Sequence, residues 1–221
     1  MKLIVDKLGL QINGIDILTD ISFEIQNNSF TCIIGANGAG KSSILKIMTN
    51  QLKNYSGSIP NLDISEIAYL PQNLAAPPFL NVYGVATLGL YNSKVSYKEK
   101  NDMTLGLLHF CGVKSIKNKL FTDISSGEKQ RTWLAFALAQ SKEIIIMDEP
   151  FSEIDLLGRE KFFSLLKDIS QRKTLIIVTH DIEMAIKYSG HIISLKEGCK
   201  SFDGLPSDFG TIWSKSYSIF Q

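Results

Sequence analysis

Three glycines, a lysine and two hydroxyls crowd into GANGAGKSS, Gly35 to Ser43, directly after the apolar run FTCII. Giving up side chains at Gly35, Gly38 and Gly40 lets backbone N–H groups turn inward and approach a ligand closely. A helix starting here adds partial positive charge at its N-terminus. Such a cradle suits phosphate. Lys41 is placed to reach the β- and γ-phosphates of a nucleotide and Ser42 to hold Mg²⁺, with Asn37 and Ser43 in the same loop. The spacing Gly35-x-x-x-x-Gly40-Lys41-Ser42 fits the P-loop pattern completely.

A second group of polar residues follows apolar runs further along. EIIIMDEP places Asp148 and Glu149 after a buried strand. Side chains at the carboxyl end of a parallel strand open onto the ligand crevice. One carboxylate there can serve Mg²⁺ through water and the other can polarise an attacking water. His180 ends TLIIVTH, a position suited to a γ-phosphate contact, and Gln72 follows EIAYLP, where its amide can meet Mg²⁺ or the attacking water. His109 and His191 are read as structural or exposed. In ISSGEKQR, Ser125, Ser126 and Gly127 open a second anion-friendly helix N-terminus. One nucleotide does not need two such helix starts in one small chain, so a head-to-tail dimer is expected, each copy covering its partner's nucleotide.

The elements that must position these groups alternate in character. Residues 3 to 28 read as an antiparallel hairpin, with Leu8, Leu10 and Ile12 on one face, a turn at Asn13-Gly14, and Ile21, Phe23 and Ile25 beyond it. Phe30 to Ile34 reads as a buried strand and Ser42 to Lys53 as a helix. After the breaker cluster AAPPF the pattern is helical from Val82 to about Ala139. Met103, Leu107, Leu108 and Cys111 lie at helical spacing before a stop at Gly112. A helix over Ser125 to Ser141 is expected to pack through Leu134, Phe136 and Leu138. EIIIMDE and TLIIVTH are strands, each followed by a helix, the first carrying Phe162, Phe163, Leu166 and Ile169, the second Ile182 to Tyr188. That alternation indicates parallel βαβ units. HIISLKEG and CKSFDG form a closing hairpin around Gly198, and SDFGTIWSKSYSIF is assigned no role.

The expected fold class is therefore α/β: a P-loop core with a mainly parallel sheet, an antiparallel β subdomain and a helical subdomain. It is expected as a single domain over 1–221, with 1–72 and 142–221 forming the core and antiparallel layer and 75–141 the helical lobe. The chain's 221 residues, 44% hydrophobic, can fill such a core, and the net charge of +1 gives no general pull towards nucleic acid or acidic membranes. Cys32, Cys111 and Cys199 are read as buried thiols of a reducing compartment. Asp6 and Lys7 interrupt MKLIVDKLGL where a secretory signal needs apolar residues, and no stretch reaches the length of a membrane span. A cytoplasmic chain is expected, reaching a membrane only through another polypeptide.

These motifs, in this order and spacing, resemble the nucleotide-binding subunit of ABC transporters over nearly the whole chain. GANGAGKS is similar to the Walker A motif, Gln72 to the Q-loop glutamine and ISSGE to the LSGGQ signature. IIIMDE is similar to Walker B followed by the catalytic glutamate, SEID (Ser152 to Asp155) to the D-loop, and His180 to the switch histidine. The resemblance implies two subunits sandwiching two ATP molecules, with Mg²⁺ near Ser42, Gln72 and Asp148. Glu149 would act as the base, with Ser125, Ser126, Gly127, Glu128 and Asp155 reaching across to the partner's nucleotide. It also implies membrane-spanning permease subunits as partners, placing the chain peripherally on the inner face of the membrane.

Three departures carry expectations. Ile12 stands where the family usually stacks an aromatic on adenine, so base stacking should be weaker or supplied from elsewhere. Ser126 replaces a signature glycine, with Glu128 in the glutamine position, and Glu153-Ile154 stands in the D-loop. Slow but real hydrolysis is expected. A GTPase would carry N-K-x-D, which Asn118-Lys119-Leu120-Phe121 lacks, and a small-molecule kinase would not need ISSGE. PPFLNVYGVATLGLYNSK resembles the post-Q-loop stretch of importers of metals or metal chelates, which points to import, a reading that would add a substrate-binding protein to the partners. An exporter of haem, lipid or drug type and a non-transport ATP-gated switch are the alternatives.

Overall fold

The computed structural model describes residues 2–150 and 154–217. The chain begins with β1 (Lys2–Ile12) and β2 (Ile15–Gln26), paired antiparallel across Asn13-Gly14. Both turn residues have positive φ, 51° and 79°, the turn whose twist matches the flanking strands. Then come β3 (Phe30–Gly35), α1 (Lys41–Met48), β4 (Ser56–Ser58) and β5 (Ile67–Leu70). Three helices follow: α2 (Val82–Leu88), α3 (Tyr97–Phe110) and α4 (Ser126–Ala139). The remainder is β6 (Ile144–Asp148), α5 (Leu156–Ser170), β7 (Thr174–Val178), α6 (Ile182–Tyr188), β8 (His191–Lys196), β9 (Cys199–Gly204) and α7 (Pro206–Tyr217).

Two sheets result. The small one is antiparallel, in the order β2-β1-β4, and the large one runs β5-β6-β7-β3-β8-β9. Strands β5, β6, β7, β3 and β8 are parallel to their neighbours, and β9 turns back antiparallel on β8. The fold is thus mixed α/β with a mostly parallel sheet, as the sequence led us to expect. Side chains of the large sheet alternate between two apolar clusters. Cys32, Ile34, Ile145, Met147, Leu175 and Ile177 face α5, α6 and the α2–α4 segment. Ile33, Ile146, Ile176, Val178 and Ile193 face α1 and the antiparallel layer. Both faces are covered, which explains why these strands read as unbroken apolar runs.

Several local expectations need correction. Helix α1 stops at Met48, not Lys53, because Asn50 turns left-handed with φ 58°. Its N–H donates to the Ile47 carbonyl at 2.9 Å and the next N–H, of Gln51, to Lys46 at 2.8 Å, closing the helix end. The buried stripe of α3 runs through Thr104 and Leu108, while Met103 is exposed. On α4, Leu134 is buried as expected but Phe136 and Leu138 are half-buried; Trp133, Ala135 and Ala137 fill the inner face. Ile12 is exposed, unlike Leu8 and Leu10, because it forms the last pair of the hairpin, with Ile15, beside the Asn13-Gly14 turn. Cys199 is exposed, whereas burial pushes the Cys32 and Cys111 thiols up to about 12. The described part of the unassigned tail lies in α7, held by Phe209 packing edge-on against Phe202 at 5.1 Å and stacking on Trp213.

Candidate active site

The loop between β3 and α1 makes one wall. Gly40 has φ 97°, and a Cβ there would come within 2.5 Å of Leu18 Cδ2 on β2. Gly35, at φ 151°, would meet the Leu195 carbonyl at 2.4 Å. Only glycine fits either place. The same stretch of β2 is held by the last hairpin, where the Thr19 N–H donates to the Gly198 carbonyl at 2.9 Å. Lys41 is buried, and its Nζ donates to the carbonyls of Gly35 at 2.9 Å and Ala36 at 3.1 Å. The amine thereby holds the loop in shape and stays within it.

The opposite wall comes from the ends of β6 and β7, which run side by side with Asp148 opposite Val178. Asp148 is buried and accepts from the Ser42 hydroxyl at 3.1 Å. Burial pushes its carboxyl up, while the Ser42 hydroxyl and the charges of Lys46 and Lys41 pull it back. Glu149 leaves the strand with φ 48° and donates its N–H to the Val178 carbonyl at 2.9 Å. That turn swings its carboxylate to 2.7 Å from His180 Nδ1. Gln72, just past β5, joins Asn37, Gly38, Gly40, Lys41, Ser42, Ser43, Glu149 and His180 around one cavity of about 430 Å³, with Ile17 beside them.

The second helix start lies apart from this cavity. Ser125, Ser126 and Gly127 line a separate groove of about 800 Å³ with Arg131, Asp155 and Lys161. Ser125 caps α4 in a reciprocal box: the Glu128 N–H reaches its hydroxyl, and the Glu128 carboxylate accepts the Ser125 N–H at 2.9 Å. That backbone bond is the main cause holding the Glu128 carboxyl below its usual range. Asp155 caps α5 by accepting the Gly158 N–H at 2.7 Å. Ser152 and Glu153 lie outside the described residues. Ile12 does not line the P-loop cavity; Ile17 does.

Two residues not singled out in the sequence tie these parts together. Arg159 Nε donates to the Ile154 carbonyl at 2.7 Å and its Nη1 to Asp181 Oδ2 at 3.2 Å. Asp181 in turn caps α6, directly after His180. The cap was readable from an aspartate standing before IEMAIKY. Arg159 had no local signal, because its ionic partner is far along the chain.

The family model described as ABC transporter matches residues 18–152. The hemin import ATP-binding protein HmuV of Photobacterium damselae subsp. damselae is 31% identical over 216 residues, covering 90% of this chain and 82% of that protein. The iron(3+)-hydroxamate import ATP-binding protein FhuC of Bacillus subtilis is 29% identical over 210 residues, covering 87% and 78%. The dimeric post-hydrolysis structure of the ATP-binding cassette MJ0796, bound to ADP and Pi, superposes with a TM-score of 0.78 at 25% identity. It covers 93% of this chain and 99% of that one.

Proposed function

The chain belongs to the ABC transporter family, and from that premise we propose that it is an ATP-hydrolysing subunit powering import of a metal ion or metal chelate through separate membrane subunits. ATP hydrolysis is the family's activity. The observation that carries the reading here is the convergence of Ser42, Gln72, Glu149 and His180 on the cavity walled by the Lys41 loop, with the Asp148 carboxylate bonded to the Ser42 hydroxyl.

The donor set fits Mg²⁺: a hydroxyl and a buried carboxylate 3.1 Å apart, with an amide at the same cavity. Ser42, Asp148 and Gln72 would hold the ion, which when bound neutralises charge on the phosphate oxygens. Lys41 and the loop N–H groups take the β- and γ-phosphates. Glu149 accepts the proton of the attacking water as the bond to the bridging β–γ oxygen breaks. His180 aligns the Glu149 carboxylate through its Nδ1 contact. Within one chain the groove at Ser125–Gly127 and the P-loop cavity have no lining residue in common. A head-to-tail pair of chains, each signature groove closing on the other's nucleotide, accounts for both sites.

Import and cargo rest on the relatives' names, hemin and iron(3+)-hydroxamate import, and membrane permeases and a substrate-binding protein follow from the same reading. The test is affinity capture from native membranes with tagged E149Q protein and MgATP. A many-helix permease with a neighbouring binding protein is expected. A short-helix export-type subunit, or soluble partners alone, would overturn the import reading. Phosphate release wholly absent from the wild-type chain, with its membrane partner present, would overturn the ATPase reading.

A further inference from the structure

The net charge of +1 hides an asymmetry. Residues 82–139, spanning α2 to α4, carry eight Lys and Arg against four Asp and Glu, while the remainder carries fifteen against eighteen. Part of that excess is gathered in the connection from α2 to α3, YNSKVSYKEK. There Tyr91 and Tyr97 are 82% and 86% exposed, with Leu88 and Val95 also in solvent. Lys94 and Lys98 are exposed among them. No ion pair formed by the described residues uses Lys94, Lys98 or Lys100. The acid in the stretch, Glu99, is occupied: its carboxylate accepts from the Ser96 N–H at 2.8 Å and hydroxyl at 2.7 Å, capping α3. The patch therefore presents cationic heads and amphipathic rings together.

We infer that this α2–α3 connection is a docking surface for the anionic headgroups of a phospholipid bilayer, seated beside the membrane subunits. The inference rests on the proposed membrane assembly only for its setting. Lysine near an anionic leaflet is attracted through the surface potential. Tyrosine rings favour the headgroup level, where one end is wet and the other apolar. The aliphatic side chains decide against a nucleic acid, since Leu88 and Val95 gain nothing from a polyanion in water but gain burial at the acyl boundary. No helix among the described residues is long and apolar enough to cross a membrane, so the contact is a surface one.

The test is co-sedimentation of the full chain with vesicles of equal phosphatidylglycerol and phosphatidylcholine, at low and raised salt. Retention on these vesicles, release by salt and no retention on pure phosphatidylcholine are expected. K94Q/K98Q should weaken retention about twenty-fivefold, since each lysine near an anionic surface contributes about fivefold. Y91S/Y97S should weaken it even where salt has screened the lysines. Both variants should keep the wild-type circular dichroism spectrum and thermal midpoint, which shows that they fold. Equal retention on neutral vesicles, indifference to either double variant, or full displacement by a DNA oligonucleotide of equal charge would each overturn the inference, as would no retention at all. No nucleotide and no membrane subunit enters the assay, so its failure leaves the ATPase reading standing, and the converse holds.

Discussion

Glu149 is where backbone and chemistry meet. A non-glycine residue at φ 48° is uncommon and costs of order 1–3 kcal/mol. The turn it makes brings a carboxylate from the end of one strand to the histidine at the end of the next. E149Q should lower phosphate release at least about a hundredfold while leaving nucleotide binding intact, measured by single-turnover phosphate release beside equilibrium binding of ATP. Asp148 predicts a trade. Burial raises its carboxyl above the unfolded value, so it favours folding below about pH 4 and that advantage is lost as pH rises through the raised folded value. D148N should therefore melt higher than wild type near pH 7, with the gap closing in acid, yet lose Mg²⁺-dependent turnover. Thermal melts at both pH values without nucleotide, beside a Mg²⁺ titration of activity, check this. At this scale the sequence was most legible. The glycine, lysine and hydroxyl spacing of the P-loop is local, and local chemistry can be read directly. The partnership of Arg159 with Asp181 could not be read, because it depends on how α5 and α6 meet.

Elements tell a mixed story. Strands β6 and β7 announced themselves as apolar runs because both of their faces are covered. The end of α1 was missed because the apolar pattern continues to Leu52, while a left-handed Asn50 closes the helix before it. Helix α7 went unread although Pro206 stands at its first position, a known preference. Helix α5 is the main brace of the site, since it begins at Asp155 and ends in the core. Its Phe163 stacks on Phe30 at 6.0 Å and leans on Tyr188 at 5.7 Å, fully buried. F163A should cost about 4 kcal/mol, read from urea unfolding. R159A should slow turnover about tenfold with little change in ATP affinity, because it releases Ile154 and Asp181 while leaving the P-loop untouched. A kcat-against-KM comparison separates that outcome from a general loss of fold.

The whole molecule separates what the chemistry needs together. Loops from residue 35 to residue 180 gather at the P-loop cavity, yet Ser125 to Gly127 line another groove. The sequence showed two phosphate-type helix starts but could not show their distance, since that is set by how α4 packs against the sheet. A pair of chains is the remedy, and it makes a clear prediction. E149Q protein with saturating MgATP should double in mass by light scattering, and K41A, lacking the phosphate anchor, should stay single under the same conditions. E149Q remaining single at high concentration would remove the dimer from the scheme.

The clasp on β2 reaches further than the site it serves. Leu18 abuts Gly40 of the phosphate loop, while Thr19 is bonded to the β8–β9 turn at Gly198. The phosphate loop and the last hairpin thus both meet one short segment of β2, Ile17 to Thr19, which couples the two. In native-state hydrogen exchange these regions should exchange as one cooperative unit. Nucleotide binding should then slow amide exchange at the β8–β9 turn, a place no phosphate touches.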